Sequence, residues 1–103
     1  MILATTDSIG KELETLGLVK GSVVRSKDVG KDILASLKTL VGGEIGSYTK
    51  MMEEARDIAT ERMITEAKKM GADAIVGLRY VSSAVMAGAA EIVAYGTAVK
   101  IKK

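Results

Sequence analysis

The chain has no cysteine and no histidine among its 103 residues. The first absence excludes a disulfide framework, a thiolate nucleophile and any zinc site built on sulfur. The second removes the usual general base near neutral pH. Together they take away the two commonest transition-metal ligands and leave carboxylates as the only strong metal-binding side chains. Most enzyme templates fail on these grounds, and the chain is not expected to be an enzyme. Phenylalanine and tryptophan are missing too, and three tyrosines are the whole aromatic content. A core must then be built from aliphatic side chains, alanine and methionine, which give little bulk per residue and gain from burial between subunits.

A strong excess of one charge is also lacking. The formal net charge of +2 is too small to argue for nucleic acid, and the cluster Lys100, Lys102, Lys103 reads as a solvated end. No apolar run is long enough to cross a membrane, and no charged-then-apolar leader precedes the first strand-like stretch. These features point to a cytoplasmic protein with neither nucleic acid nor membrane as partner. An apolar share of 48% and a charged share of 27% belong to a globular chain, and the length suits one domain over 1–103 with a single modest core.

What is present is organised around one long helix, expected over about 47 to 70. Tyr48, Met51, Met52, Ala55, Ile58, Ala59, Met63, Ala67 and Met70 fall at the three-and-four spacing of one apolar stripe. Ser47 can cap its first turn, and Gly71 can take the left-handed conformation that ends it. At 1.5 Å per residue it would span roughly 36 Å, so it needs a broad surface to lie on. Arg62 and Glu66 project near the middle of the stripe, four residues apart, where they can pair at the edge of the core or in a seam between subunits. Ile64, conversely, projects among polar neighbours.

Before this helix, Met1 to Thr6 reads as an edge or starting strand. Leu16 to Arg25 reads as strand, interrupted at Gly21 by a bulge or a tight turn, and one bent strand and a hairpin both fit. Asp28 can cap a shorter helix over about 29 to 41, stopped by Gly42-Gly43. After Gly71 a hairpin is expected, with strands at about 74 to 84 and 90 to 101. In its second strand Ile92, Ala94 and Ala98 fall on one face and Val93, Tyr95, Val99 and Ile101 on the other. Neither face is polar enough for water, so helices should cover one and a second copy of the chain the other.

Four groups of residues are candidates for chemistry. Glu53, Asp57 and Glu61 share a helix face with Glu54 beside them, but a straight row of carboxylates diverges, and a solvated face explains it better than a Ca²⁺ or Mg²⁺ site. Met51, Met52, Met63 and Met70 are read as core filler rather than soft-metal ligands. Gly42, Gly43 and Ser47 place backbone N–H groups and a hydroxyl at a helix start, as in small-anion sites, although glycines joining two helices need no ligand to explain them. Arg79, Ser83, Glu91, Tyr95 and Thr97 share one face of the hairpin if the numbers of paired residues sum to an even value. Arg79 and Glu91 are then either an ion pair between apolar neighbours or part of a ligand site.

Val41-Gly42-Gly43, Gly46-Ser47-Tyr48, Glu54-Ala55-Arg56, Ile58-Ala59 and Gly71-Ala72-Asp73-Ala74-Ile75-Val76-Gly77 resemble, in that order, the YbjQ-like family. Arg79-Tyr80, Ser82-Ser83, Gly88-Ala89-Ala90-Glu91-Ile92 and Ala94-Tyr95-Gly96-Thr97-Ala98-Val99 add the strand-turn-strand signature of one branch. Thr5-Thr6 and Gly21-Ser22-Val23-Val24 extend the resemblance toward the start. It implies an α+β, dodecin-like subunit, an antiparallel sheet packed on one long and one shorter helix, assembled as a homopentameric ring. It also implies a small protein of unassigned function carrying the label "putative heavy-metal-binding", possession of a small ligand or metal ion being one reading and a structural or interaction module without ligand the other. No cofactor is identified. Five copies of Glu91 or Asp73 around a ring axis would favour Ca²⁺ or Mg²⁺ over zinc.

Overall fold

The computed structural model describes residues 1–26, 46–86 and 89–103, and the side chains of all of these except 46–48. Strand β1 (Ile2–Leu3) and strand β2 (Leu13–Ser26) come first, then helix α1 (Gly46–Lys69), then strands β3 (Ala74–Met86) and β4 (Ala89–Ile101). The expected shorter helix over 29 to 41, with Gly42 and Gly43, lies outside the described residues. The long helix and the hairpin fall within a residue or two of their expected bounds, except that β3 runs on to Met86. Helix α1 begins at Gly46, so Ser47 sits inside its first turn rather than ahead of it.

The four strands form one sheet in the order β1-β3-β4-β2. Strands β3 and β4 pair antiparallel, as do β2 and β4, whereas β1 pairs parallel with β3. The sheet is therefore mixed, where an antiparallel one was expected. The start of the chain lies along the edge of β3: Ala4 donates its N–H to the Ile75 carbonyl (2.9 Å), and Leu78 donates to Ala4 (3.0 Å). Strand β4, last of the elements in chain order, sits between β3 and β2 and joins them.

Helix α1 packs on β2 and β4 through a single row of small and flexible side chains. Met51, Ala55, Ala59, Met63 and Ala67 recur at every fourth position and are all buried. Ala55, Ala59, Met63 and Ala67 meet Val19 and Val23 of β2, Ile75 and Leu78 of β3, and Ile92, Ala94 and Ala98 of β4, with Met52, Ile58 and Ile64 packed around the rim. Ile64 is thus half-buried against this core instead of waiting for a partner. Gly71, at φ 78°, ends the helix in the left-handed conformation, and the Ala72 N–H returns to the Ala67 carbonyl at 3.1 Å, the bonding pattern of a glycine-closed helix.

Strand β2 is one continuous strand, and Gly21 neither turns it nor bulges it. The irregularity lies between Thr15 and Gly17. A Cβ on Gly21 would collide with the Ala59 carbonyl oxygen and the Met63 amide nitrogen. The glycine is there because the backbones of α1 and β2 approach too closely for any side chain. Arg62 lies over the same crossing and donates to the Ser22 carbonyl at 2.7 Å, while Glu66 faces Lys69 at 3.4 Å. The expected Arg62–Glu66 pair does not form, because a main-chain acceptor lies nearer to the guanidinium.

Among the described residues, the other face of the sheet is covered at one end only. Ala74, Val76 and Val99 are buried there beneath Ile9 and Leu13. Along the rest of that face β2 shows Leu18, Lys20, Ser22 and Val24, β4 shows Glu91, Val93, Tyr95 and Thr97, and β3 shows Arg79, Val81 and Ser83.

The contact at Gly21 generates a stability prediction. The atoms a new Cβ would meet are backbone and cannot rotate away, so Gly21→Ala should cost about 3 kcal/mol or more. Gly10→Ala is the control: its φ is +76° with nothing within 4 Å, so only left-handed strain of about 1–2 kcal/mol applies. Urea denaturation of the two variants should rank them in that order, and near-equal losses would show that the helix can lift off β2.

Candidate functional site

The hairpin brings the sequence-predicted polar residues onto one surface. Arg79 stands opposite Tyr95 and Ser83 opposite Glu91, so the pairing sum is even and all four share the open face with Thr97. A bulge between Val76 and Arg79, where Gly77 takes φ 60°, sets this register and turns Arg79 toward the start of the chain. Its guanidinium donates to the Thr5 and Leu78 carbonyls, each at 2.9 Å. The Arg79–Glu91 ion pair is absent among the described residues. Glu91 is four residues along the ladder, whereas two carbonyls lie within immediate reach. Arg79 therefore works as a clasp holding the 4–9 segment on the sheet.

The remaining candidates do not join this group. Ser47 lies in the first turn of α1, at the far side of the sheet from the open face, and its side chain is among those not described. Gly42 and Gly43, as stated, are outside the described residues. Glu53, Asp57 and Glu61 form an exposed row along α1, and Glu54 leaves it to pair with Arg25 at 3.1 Å. Met51 and Met63 are core and Met52 packs beside it, while Met70 is exposed over Gly17. Asp73 accepts the Ile101 N–H at 2.8 Å and so fastens the end of β4. Among the described residues no three carboxylates gather as a cation site would need.

Two polar contacts were not visible in the sequence. Thr60 donates its hydroxyl proton to the Arg56 carbonyl at 2.7 Å, so the 2.8 Å contact between Thr60 and Tyr80 has the Tyr80 O–H as donor. This bond ties β3 to the helix at the last point where the two elements meet. Beyond it, from Val81 to Met86, every residue of β3 is exposed. The second is the Arg62 bond to Ser22, described above. Neither partner pair is charged on both sides, so no charge pattern announces it.

An open depression of about 610 Å³ at one end of the sheet is lined by Glu14, Asp73, Lys100, Ile101, Lys102 and Lys103. It mixes carboxylates with ammonium groups, includes none of Arg79, Ser83, Glu91 or Tyr95, and offers no selective charge.

Comparison with known proteins places these features in a family. Residues 1–102 match the YbjQ_1 family model, described as "Putative heavy-metal-binding". The UPF0145 protein of Clostridium novyi is 64% identical over 102 residues, covering 98% of this chain and 99% of the relative. The UPF0145 protein of Methanosarcina acetivorans is 59% identical over 103 residues, covering 98% and 97%. A crystal structure of a protein of unknown function from Pediococcus pentosaceus, of the DUF74 family, superposes with a TM-score of 0.74 over 99% of this chain and 98% of that one. At 20% identity that likeness is one of fold.

The clasp geometry makes a double-mutant prediction. Arg79→Ala should cost about 1 kcal/mol, at the low end for charge-assisted bonds because the side chain is exposed, and should speed amide exchange at Ala4 and Gly77. Glu91→Gln should be neutral within about 0.5 kcal/mol. Coupling between the two, measured by chemical denaturation, should stay below about 0.3 kcal/mol; a larger value would restore the ion pair.

Proposed function

Because the chain belongs to the YbjQ-like family, whose description is "Putative heavy-metal-binding", we propose that it is the subunit of a homo-oligomeric ring, dodecin-like in build and pentameric, and that assembly rather than catalysis is its biochemical property. One observation carries this reading: the subunit exposes too much surface for its mass. Its accessible area is 6647 Å², about 1100 Å² above the roughly 5500 Å² of a globular monomer of this size. The radius of gyration is 17.0 Å, against about 13 Å for a compact chain of this length. Among the described residues, Leu18, Val24, Val81, Val85 and Met86 stand exposed on the distal part of the β3–β4 hairpin and on β2. Surface of that kind is what a protein interface removes from water.

The residues present do not fit a heavy metal. No thiolate or imidazole exists in the chain, the buried methionines are spent on the core, and the helix carboxylates point apart along one face. A ring that does hold a cation would do so with carboxylates and would favour Ca²⁺ or Mg²⁺. The same surface, with carboxylates and lysines intermixed and no helix among the described residues able to cross a membrane, favours a cytoplasmic protein whose partner is itself.

Sedimentation velocity at micromolar concentration is expected to give a species several times the 10.8 kDa of one chain; a stable monomer would overturn the proposal. Titration calorimetry should show no submicromolar Zn²⁺ binding. Tight zinc binding that disappears on changing one acidic residue would reinstate the metal.

A further inference from the structure

We propose that copies of this chain join edge to edge, strand β2 of one copy adding in parallel to the distal part of β3 of the next, with Lys20 of the first beside Ser83 of the second. The inference deepens the self-assembly reading and rests on it. It starts from the two ends of the sheet. Strand β2 is an outer strand over all of Leu13–Ser26. Among the described residues, strand β3 is covered by β1 and the following residues only as far as Leu78, so Arg79–Met86 is a second open edge there. Unpaired main-chain edges of this length are templates for another strand.

An isologous β2–β2 contact would satisfy one edge and leave the other bare. A head-to-tail contact satisfies both with a single interface, and such contacts close into rings. Direction follows from topology. Both β2 and β3 run antiparallel to β4 and hence parallel to each other. A rotation about an axis along the strands preserves that direction, so the join between copies is parallel.

The hydrogen-bonding faces agree. The Ser22 carbonyl points away from β4 and accepts from Arg62, so even-numbered residues of β2 point their N–H and C=O groups outward; that carbonyl has a second lone pair with which to accept an N–H of the added strand. The Leu78 N–H meets Ala4, so even-numbered residues of β3 point outward at the other edge. In a parallel ladder a residue with outward groups sits opposite one whose two neighbours have them, with both side chains on the same face. Lys20 opposite Ser83 meets this condition, and the open faces of the two copies become continuous.

This register also matches the side chains. It sets Leu18, 69% exposed, beside Val81, 42% exposed, and brings the Lys20 ammonium toward Glu91, which stands across from Ser83 on β4. Among the described residues neither Lys20 nor Glu91 has an ion-pair partner within its own chain. Shifting the join by two residues in one direction would bring Leu18 beside Arg79, and Lys20 would lose the carboxylate.

The chain has no cysteine, so any disulfide formed on oxidation comes from introduced residues. Two double variants, Leu18→Cys with Val81→Cys and Lys20→Cys with Ser83→Cys, should each form covalent ladders that close at the size of the native oligomer. The four single variants should form no covalent dimer. Circular dichroism confirms folding, which these exposed positions leave intact. A covalent dimer from Leu18→Cys or Lys20→Cys alone would show a β2–β2 contact and overturn the proposal. An oligomer in sedimentation with neither double variant crosslinked would overturn the strand join while leaving self-assembly standing; a monomer would overturn both.

Discussion

The contact on which this structure depends is the backbone approach of α1 to β2 at Gly21. With no phenylalanine or tryptophan to fill space, the protein does not hold its layers apart with bulk. It brings them together until the Ala59 carbonyl and the Met63 amide lie over the bare Cα of a glycine. Ala55, Ala59 and Ala67 permit that distance, and Met63 fills the irregular space beside it. Dispersion rises steeply at short range, so thin side chains in close contact replace large ones at ordinary spacing. The arrangement leaves little tolerance for change along one row of the helix and much along the others.

That economy limits how much sheet the helix can cover. A narrow seam reaches β2, β4 and the first half of β3, and the hydrogen bond from Tyr80 to Thr60 marks its limit. The chain covers part of the opposite face with its own early residues, Ile9 and Leu13, held by the Arg79 clasp. Among the described residues, what remains open is the far half of the hairpin and the outer strand β2. These regions carry the exposed aliphatic side chains, and they lie at opposite ends of one sheet. A chain of this length and composition does not have a larger core with which to cover them.

Much of the fold could be read from residue periodicity. Methionine and alanine at helical spacing, closed by Gly71, located α1, and alternation after Ala74 located the hairpin and the shared face of Arg79, Ser83, Glu91 and Tyr95. The failures have a common physical origin. Arg62, Glu66 and Arg79 were paired in expectation with charged side chains, yet both arginines bind main-chain carbonyls, of Ser22 and of Thr5 and Leu78. Every residue supplies such an acceptor, so a sequence gives no sign of which one will be used. Gly21 was read as a break because a glycine in a strand signals a bulge as readily as a close approach. Only the partner helix distinguishes them. The parallel pairing of β1 was hidden for a similar reason, since a two-residue strand is too short to show a pattern.

The strand order β1-β3-β4-β2 has a consequence for how the chain reaches its native state. Strand β4 is the central member, yet it follows every other element along these residues. Strands β2 and β3 have no contact ladder with each other until β4 arrives between them. Helix α1 likewise lacks half of its floor, because Ile92, Ala94 and Ala98 all come from β4. During synthesis the earlier elements must wait, with β2 unpaired and the methionine row exposed. Registers such as Leu13 with Ile101 then close across most of the chain in one event, a topology of high contact order that folds slowly for its size. Folding is therefore concentrated in the period after translation of β4, and the waiting chain is the form most in need of protection from other unpaired strands.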